Sequence, residues 1–323
     1  MKERVLRIVT CILLVSLVFC TGCDSFRESM ERQRAEREEE EKYSFETEKD
    51  FLNFYRKEIT NALRNRDKDA LTGLFCENVT ENTCDIDEGA EYLLGLEEWD
   101  DIGTLRSNCS SYKEYSNGGH SIFVMCWEDI SVGDVKYRIY FSGYSKYYVE
   151  VRSTSKFSKE NTGLTNLSIL ELDENNDPVE DLHINICGIY HPGRKACEDL
   201  FYTTLCIYSS TNDDGSYIDV MTDEALESIM TPELLKSADD DELEAFIKFI
   251  RYCSSSKRND AFVFIGEKNG SFVLTTTITF ELADRCFTLI VKDGLIDGAS
   301  ISEDKDPVNI SSGEIKGFYG LVD

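Results

Sequence analysis

The sequence predicts an α+β protein in which a group of helices followed by an antiparallel sheet occurs twice. Three observations lead to this prediction. Apolar residues at helical spacing precede apolar and alternating runs in each half of the 323-residue chain. The runs follow one another as in a meander, without the intervening helices of a βαβ protein. In the second half, Asn269-Gly270 and Asp293-Gly294 favour hairpin turns, since both pairs accept positive φ.

The helices of the first half are predicted from apolar spacing and from capping residues. One helix begins near Thr47, and its buried face is expected to consist of Phe51, Tyr55, Ile59, Ala62 and Leu63. The segment from Asn65 to Asp69 breaks this helix, with Asp67 and Asp69 expected to act as caps. A later helix is predicted to start at Asp85, with Glu88 three residues further on.

Strands are predicted at residues 122–127, 135–141, 164–172 and 184–190, and Pro192-Gly193 ends the first set. In the second half, helices again come first, including one capped near Asp239, and strands follow from residue 261 to residue 301. Their inward side is expected to carry Phe272, Leu274, Thr276, Ile278 and Phe280. This order predicts two domains, at residues 47–193 and 194–323.

The amino terminus has the pattern of a secretory signal. Lys2, Arg4 and Arg7 precede an apolar run from Ile8 to Phe19 and then Cys20-Thr21-Gly22-Cys23. The run is shorter than the roughly 20 residues of a spanning helix. Thr21-Gly22-Cys23 resembles the lipobox of bacterial lipoproteins, although Cys20 stands where that pattern prefers Leu. The resemblance implies that residues 1–23 are a lipoprotein signal, that Cys23 carries membrane lipid, and that the protein is anchored at the outer face of the cell membrane. The alternative is an ordinary secreted protein.

Residues 24–46 form a predicted tether in which Arg and Glu alternate densely. Such a segment is either a charged single helix or a self-repelling coil. It lacks the apolar seam of a coiled coil. The whole chain has a formal net charge of −28, which disfavours nucleic acid as a partner.

Of the 12 cysteines, Cys11, Cys20 and Cys23 fall in the signal or at its lipobox, leaving nine. An odd number cannot all pair within one chain. Several of the nine lie in apolar runs and are typical of small buried hydrophobic residues. We therefore expect mostly free thiols, although Cys76 and Cys84 could form a local disulfide.

The first half also resembles a known family. Asn65-Arg66-Asp67-Lys68-Asp69-Ala70-Leu71, Leu74-Phe75, Tyr137-Arg138-Ile139-Tyr140-Phe141, Gly163-Leu164 and Gly188-Ile189-Tyr190 carry the resemblance over residues 47–192. They resemble an uncharacterised Firmicute lipoprotein family, a domain of unknown function similar to the nuclear-transport-factor-two-like (NTF2-like), or cystatin-like, cone. This implies tandem cones, each a curved sheet around a long helix with a pocket at the open end. It implies no activity, ligand or cofactor.

No motif in the sequence indicates a catalytic or metal centre. His183, Cys187 and His191 come closest, but on a strand four residues span about 13 Å, too far for one ion. We therefore predict no metal site. Nucleophile-elbow, zincin, phosphate-loop and dinucleotide signatures are all missing from the sequence.

The predicted ligand-binding residues are the large aromatic and apolar side chains on or near the strand at 135–141: Trp99, Trp127, Tyr137, Ile139 and Phe141. Aromatic residues around a concave sheet supply buried area for a small molecule. The leading hypothesis is a tethered module that binds a small ligand or an envelope protein. Two alternatives are an envelope enzyme that uses a pocket carboxylate and a structural spacer.

Overall fold

A computed structural model describes residues 30, 31, 34, 44–116, 119–151, 154–158, 160–179, 186–205, 223–255, 263–280, 283–303 and 310–321. The predicted signal at 1–23, most of the tether at 24–46, and His183 lie outside the described residues. No helix among those described has both the length and the apolar character needed to cross a membrane.

We use the word domain for each of the two sheets together with the helices that precede it; the first begins with helices and continues with a sheet. Its helices are α1 (Glu48–Asn65), α2 (Lys68–Thr72), α3 (Glu77–Asn82) and α4 (Ile86–Leu96). Its strands are β1 (Ile102–Ser116), β2 (Gly119–Val132), β3 (Val135–Val151), β4 (Thr154–Phe157), β5 (Gly163–Glu171) and β6 (Gly188–Ile189). The sheet order is β1-β2-β3-β5-β6, with β4 paired to β3. All pairs are antiparallel except β5 with β6.

Capping residues define both ends of helix α1. The Thr47 hydroxyl accepts a hydrogen bond from the Asp50 amide at 3.1 Å, which satisfies one of the free N–H groups of the first turn. At the other end Arg66 adopts positive φ, and Asp67 caps α2 by accepting from the Ala70 amide. The predicted apolar face of α1 is buried, and each large side chain on it contributes about 1.5–3 kcal/mol.

The sheet has an inner face toward α1 and an outer face away from it. On the inner face, Glu128 of β2 lies opposite Ile139 of β3, and Cys126 lies opposite Phe141. On the outer face, Trp127 lies opposite Tyr140. Strand β1 was not predicted, because its exposed serines and asparagine give no apolar alternation.

The second domain repeats the order of the first. Its helices are α5 (Lys195–Leu205), α6 (Asp223–Ser228), α7 (Pro232–Ser237) and α8 (Asp240–Ser255). Its strands are β7 (Val263–Lys268), β8 (Ser271–Phe280), β9 (Ala283–Lys292), β10 (Leu295–Ser302) and β11 (Ile315–Lys316), in the sheet order β11-β10-β9-β8-β7. Both predicted hairpin turns have positive φ at their two residues. The predicted α+β class, with helices before antiparallel sheets, is confirmed.

The two domains meet at the edge of β7 that is not paired with β8. The Cys84 amide donates to the Ile265 carbonyl at 2.8 Å, and the Cys187 amide donates to the Val263 carbonyl at 2.9 Å. Ile186 packs in the core of the second domain, whereas the next residue, Cys187, packs in that of the first. First-domain segments therefore cover an edge of the second sheet. The boundary between 47–193 and 194–323 stays a prediction.

Candidate functional site

Four of the five predicted ligand-binding residues lie in the core of the first domain. Trp99 is 2% exposed, and its indole N–H donates to the Leu93 carbonyl at 3.0 Å. Its ring centroid lies 5.7 Å from that of Tyr137, whose hydroxyl donates to Glu97 at 2.8 Å. Burial, together with the hydrogen bond and charge of Glu97, raises the pKa of Tyr137. Both polar tips are therefore satisfied within the domain.

Ile139 and Phe141 are the other two inward-facing residues, and both are buried. The Phe141 ring stacks on that of Phe51 with centroids 6.2 Å apart, and Tyr55 lies against the same ring at 6.4 Å. Helix α1 therefore packs directly on the strand that was predicted to line a pocket. These contacts give Phe141 a role in holding α1 on the sheet.

Trp127 lies on the opposite face of the sheet. It is half-buried, and the guanidinium carbons of Arg106 and Arg138 lie 5.3 and 4.8 Å from its ring centroid. These are cation–π distances. The structure thus brings Trp99, Tyr137, Ile139 and Phe141 together and separates Trp127 from them. A ligand site formed by all five residues stays a prediction.

Asp129 fixes the two arginines beside Trp127. Its carboxylate accepts from Arg138 Nε at 2.6 Å and Nη2 at 3.0 Å, and also from Arg106 Nε. Burial alone would raise the pKa of Asp129, but the hydrogen bonds and charges of Arg138 and Arg106 outweigh it and lower the pKa. With two guanidinium groups and one carboxylate, this group has a net charge of about +1. We call Trp127, Arg106, Arg138 and Asp129 the outer-face cluster.

Glu128 is a buried carboxylate on the inner face that the sequence analysis missed. Its side chain is 1% exposed and lies 3.7 Å from the Arg56 guanidinium of α1. Burial raises the pKa of Glu128, against the opposing effects of Thr104 and Arg56. The burial of Glu128 could have been predicted from the sequence, because on a strand it faces the same side as Cys126 and Ile130, which are both buried.

A second buried group of charges lies where the domains meet. The Asp85 carboxylate accepts a hydrogen bond from His191 Nε2 at 3.0 Å and faces Arg194 Nη1 at 3.5 Å. Arg194 is fully buried, and its Nε donates to Glu198 at 2.5 Å. Its terminal nitrogens donate to two backbone carbonyls of the first domain. We call Asp85, His191, Arg194 and Glu198 the junction network.

The junction network changes the predicted role of Asp85. Helix α4 begins at Ile86, directly after the predicted start at Asp85, and the Asp85 side chain makes no capping hydrogen bond. Its carboxylate is used by the junction network instead, because a buried Arg194 needs anionic partners. Burial is also the main cause that raises the pKa of Glu198, although Arg194 opposes it. Among the residues that the structure describes, no three His, Cys, Asp or Glu side chains form a group able to hold a metal.

Among the residues that the structure describes, Cys76, Cys84, Cys187 and Cys197 are free thiols, so the possible disulfide between Cys76 and Cys84 does not form. Burial raises the pKa of the Cys76 and Cys84 thiols to about 11, so neither has thiolate character at neutral pH. Cys109 and Cys126 form a disulfide between β1 and β2, which the sequence analysis did not single out because β1 itself was not predicted.

Among known protein families, a match is found for part of the first domain. Residues 58–172 match the model of a family described as a domain of unknown function, DUF5104. The first domain is therefore similar to this family, which confirms the resemblance to a domain of unknown function. No curated protein matches the chain.

Two solved structures are similar in part. One is a cystatin-like protein from Ruminococcus gnavus ATCC 29149, with 10% identity, 83% of this chain and 90% of that chain covered, and a TM-score of 0.19. The other is an Ntf2-like protein involved in plasmid conjugation, with 9% identity, 77% and 99% coverage, and a TM-score of 0.20. Both proteins are described by the fold class that the sequence resembles. At TM-scores this low, the fold assignment rests on the chain's own element order and strand register.

Proposed function

We propose that the chain is a membrane-tethered, extracytoplasmic lipoprotein whose first domain binds an envelope ligand or protein partner through the outer face of its sheet. The tethering part is supported by the basic head, the short apolar run and Thr21-Gly22-Cys23. The lipid that this pattern implies, a diacylglycerol on the Cys23 thiol, carries two acyl chains, and two chains are enough for stable anchoring.

The observation that carries the binding part is the contrast between the two faces of the sheet. The predicted inner residues pack against helices, and their polar tips are satisfied. On the outer face, Trp127 is half-buried beside Arg106, whose side chain is 56% exposed. Aromatic residues and arginine are enriched where proteins bind one another, since they combine apolar area with strong hydrogen bonding. We therefore place binding at the outer-face cluster.

Two experiments test the two parts separately. Cys23→Ser should move the protein from the membrane fraction into the medium, and unchanged membrane partition with normal processing would refute the tether. For binding, soluble peptidoglycan fragments and charged peptides are titrated while tryptophan emission and melting temperature are recorded. A bound probe at 100 times its Kd should stabilise the fold by about 2.7 kcal/mol.

The Trp127→Phe variant assigns the fluorescence signal. It should lose the emission change, while Trp99→Phe should keep it, because Trp99 lies in the core. An emission change that disappears only with Trp99→Phe would contradict binding at the outer face. A complete lack of response to every probe class would favour the structural spacer.

A second candidate function, an envelope enzyme, has one observation in its favour, the buried carboxylate of Glu128. Burial raises the pKa of Glu128, as is typical of carboxylates that transfer protons. The Arg56 guanidinium at 3.7 Å, however, already pairs with the Glu128 carboxylate within the fold. Turnover that is abolished by Glu128→Gln with folding intact would establish the enzyme instead of the binding module.

A further inference from the structure

Among the residues that the structure describes, strand β1 is the free edge of the first sheet. It stands first in the sheet order, and within the described part of the chain it pairs with β2 alone. Residues 104–108 are exposed without interruption, and so are Ser110 and Ser111. A long edge strand with unpaired backbone groups is a template for a further strand, and proteins usually cover or interrupt such edges. In this chain a bulge between Thr104 and Arg106 interrupts one end and leaves the rest regular.

The disulfide shows which backbone groups point outward. Cys109 and Cys126 lie directly opposite, with Cα atoms 4.2 Å apart, the spacing of a non-hydrogen-bonded pair. In such a pair the N–H and C=O groups turn away from the partner strand. Cys109 therefore presents both groups to the free edge, and by alternation Ser107 and Ser111 do the same. Between β1 and any other described segment, no backbone hydrogen bond occupies these groups.

The charge along the edge is the reverse of that of the whole chain. Strand β1 carries two positive residues, Arg106 and Lys113, and one negative residue, Glu114, in a chain of net charge −28. Arg106 uses its Nε on Asp129, and its side chain is 56% exposed. The bulged Leu105 beside it is 53% exposed and offers apolar surface. An incoming strand would therefore gain from a carboxylate near Arg106 and an apolar residue near Leu105.

We propose that the free edge of β1 accepts an extended, carboxylate-bearing segment of a partner protein as an added strand, with a carboxylate on Arg106. The proposal rests on the proposed function, since it names the partner of the same outer face. Backbone hydrogen bonds supply affinity in this mode, and side chains supply specificity. The disulfide holds β1 in register before the partner arrives, which reduces the ordering cost of binding.

A second copy of the chain fits this edge less well. Two copies would bring together two molecules of net charge −28, which repel each other at close approach. A short extended segment carries few charges of its own and meets Arg106 at close range. Screening over about 8–10 Å leaves that local contact effective at physiological salt.

The test uses an octapeptide that alternates Val and Glu, with a Val and Lys octapeptide as its control. Amide hydrogen exchange is followed residue by residue in the full chain. With the acidic peptide, exchange at Ser107, Cys109 and Ser111 should slow by about tenfold or more, the change that 1.4 kcal/mol of protection gives. Asn108 and Ser110, whose amides already pair with β2, should not change.

Two pairs of variants separate the effect of side-chain charge on binding from the effect of backbone hydrogen bonds. Arg106→Glu should weaken binding of the acidic peptide by about tenfold, whereas Lys49→Glu, the same charge change on α1, should not. Ser107→Pro removes an outward N–H without removing a bond to β2, so it should abolish binding while the fold persists. Ser107→Ala keeps the N–H and should bind normally.

The outcomes distinguish the two proposals. If peptidoglycan fragments change the Trp127 emission but the acidic peptide protects no β1 amide, strand addition is wrong and the proposed function stands. Equal binding of the lysine peptide, or normal binding by Ser107→Pro, also overturns strand addition. Protection that grows with protein concentration in the absence of peptide identifies a second copy as the occupant and refutes a foreign segment. If no probe affects either readout, both proposals fail.

Discussion

Asp85→Asn tests the junction network, because it removes one carboxylate from a fully buried arginine without changing side-chain size. Breaking a buried ion pair by removing one partner costs about 3–5 kcal/mol, since the remaining charge stays buried without compensation. Arg194 keeps Glu198 at 2.5 Å and two backbone carbonyls, so we expect the lower limit, about 3 kcal/mol. The hydrogen bond between Asp85 and His191 is weakened at the same time.

For a domain of this size, 1 kcal/mol corresponds to about 2–4 °C, so the melting temperature should fall by about 6–12 °C. Circular dichroism during heating and urea unfolding measure the change, and proteolysis near residues 192–197 should become faster. Asp87→Asn is the matched control: Asp87 lies on the same helix, is exposed, and faces Lys68 at 3.9 Å. It should cost under about 0.5 kcal/mol. If Asp85→Asn behaves like this control, the junction network does not hold the domains together.

Two further predictions concern pH and domain independence. The pKa of Glu128 is raised from 4.5, so its stability contribution is present below pH 4.5 and lost as pH rises through the folded pKa. Glu128→Gln should therefore raise the melting temperature at pH 7 but not at pH 4. The control, Glu88→Gln at an exposed position, should change the melting temperature little at either pH. If Glu128→Gln raised the melting temperature at both pH values, the ionisation of Glu128 would not be the cause. The fragments 44–193 and 194–323 should each unfold cooperatively, but the second at a lower temperature than in the whole chain, because Arg194 loses its first-domain partners. Failure of both fragments to fold alone would show that the boundary is wrong.

Periodicity predicted those parts of the fold in which one face of an element is buried. All five predicted residues of the α1 face are buried, because a buried helical stripe repeats every three to four residues, and Leu52 is buried beside them. The two hairpin turns were predictable because few dipeptides accept positive φ twice. Strand β1 was missed for the opposite reason. As an exposed edge strand it has no apolar alternation, and with it the Cys109–Cys126 pairing could not be foreseen.

The junction network could not be predicted from the sequence for a different reason. Asp85 and His191 are 106 residues apart, and the sequence suggested only the start of a helix for Asp85 and a rejected metal site for His191. Only the packing of the two domains decides that a carboxylate at a helix start turns toward a buried arginine. Trp127 shows the same limit at the outer face. Its place on a strand was predicted, but the face it occupies depends on the register of β2 against β3.

The arrangement of charges links the two proposals on binding and on architecture. In a strongly anionic chain, the arginines at the junction and at the outer face are held by buried carboxylates: Arg194 by Glu198 and Asp85, and Arg138 by Asp129. Such positioning orients the guanidinium groups before any partner arrives. At the junction each guanidinium nitrogen of Arg194 donates to a partner within the fold, so the junction network has a structural role. At the outer face Arg106 is held by one nitrogen and remains 56% exposed, so this arginine is positioned to bind an anion from outside the chain.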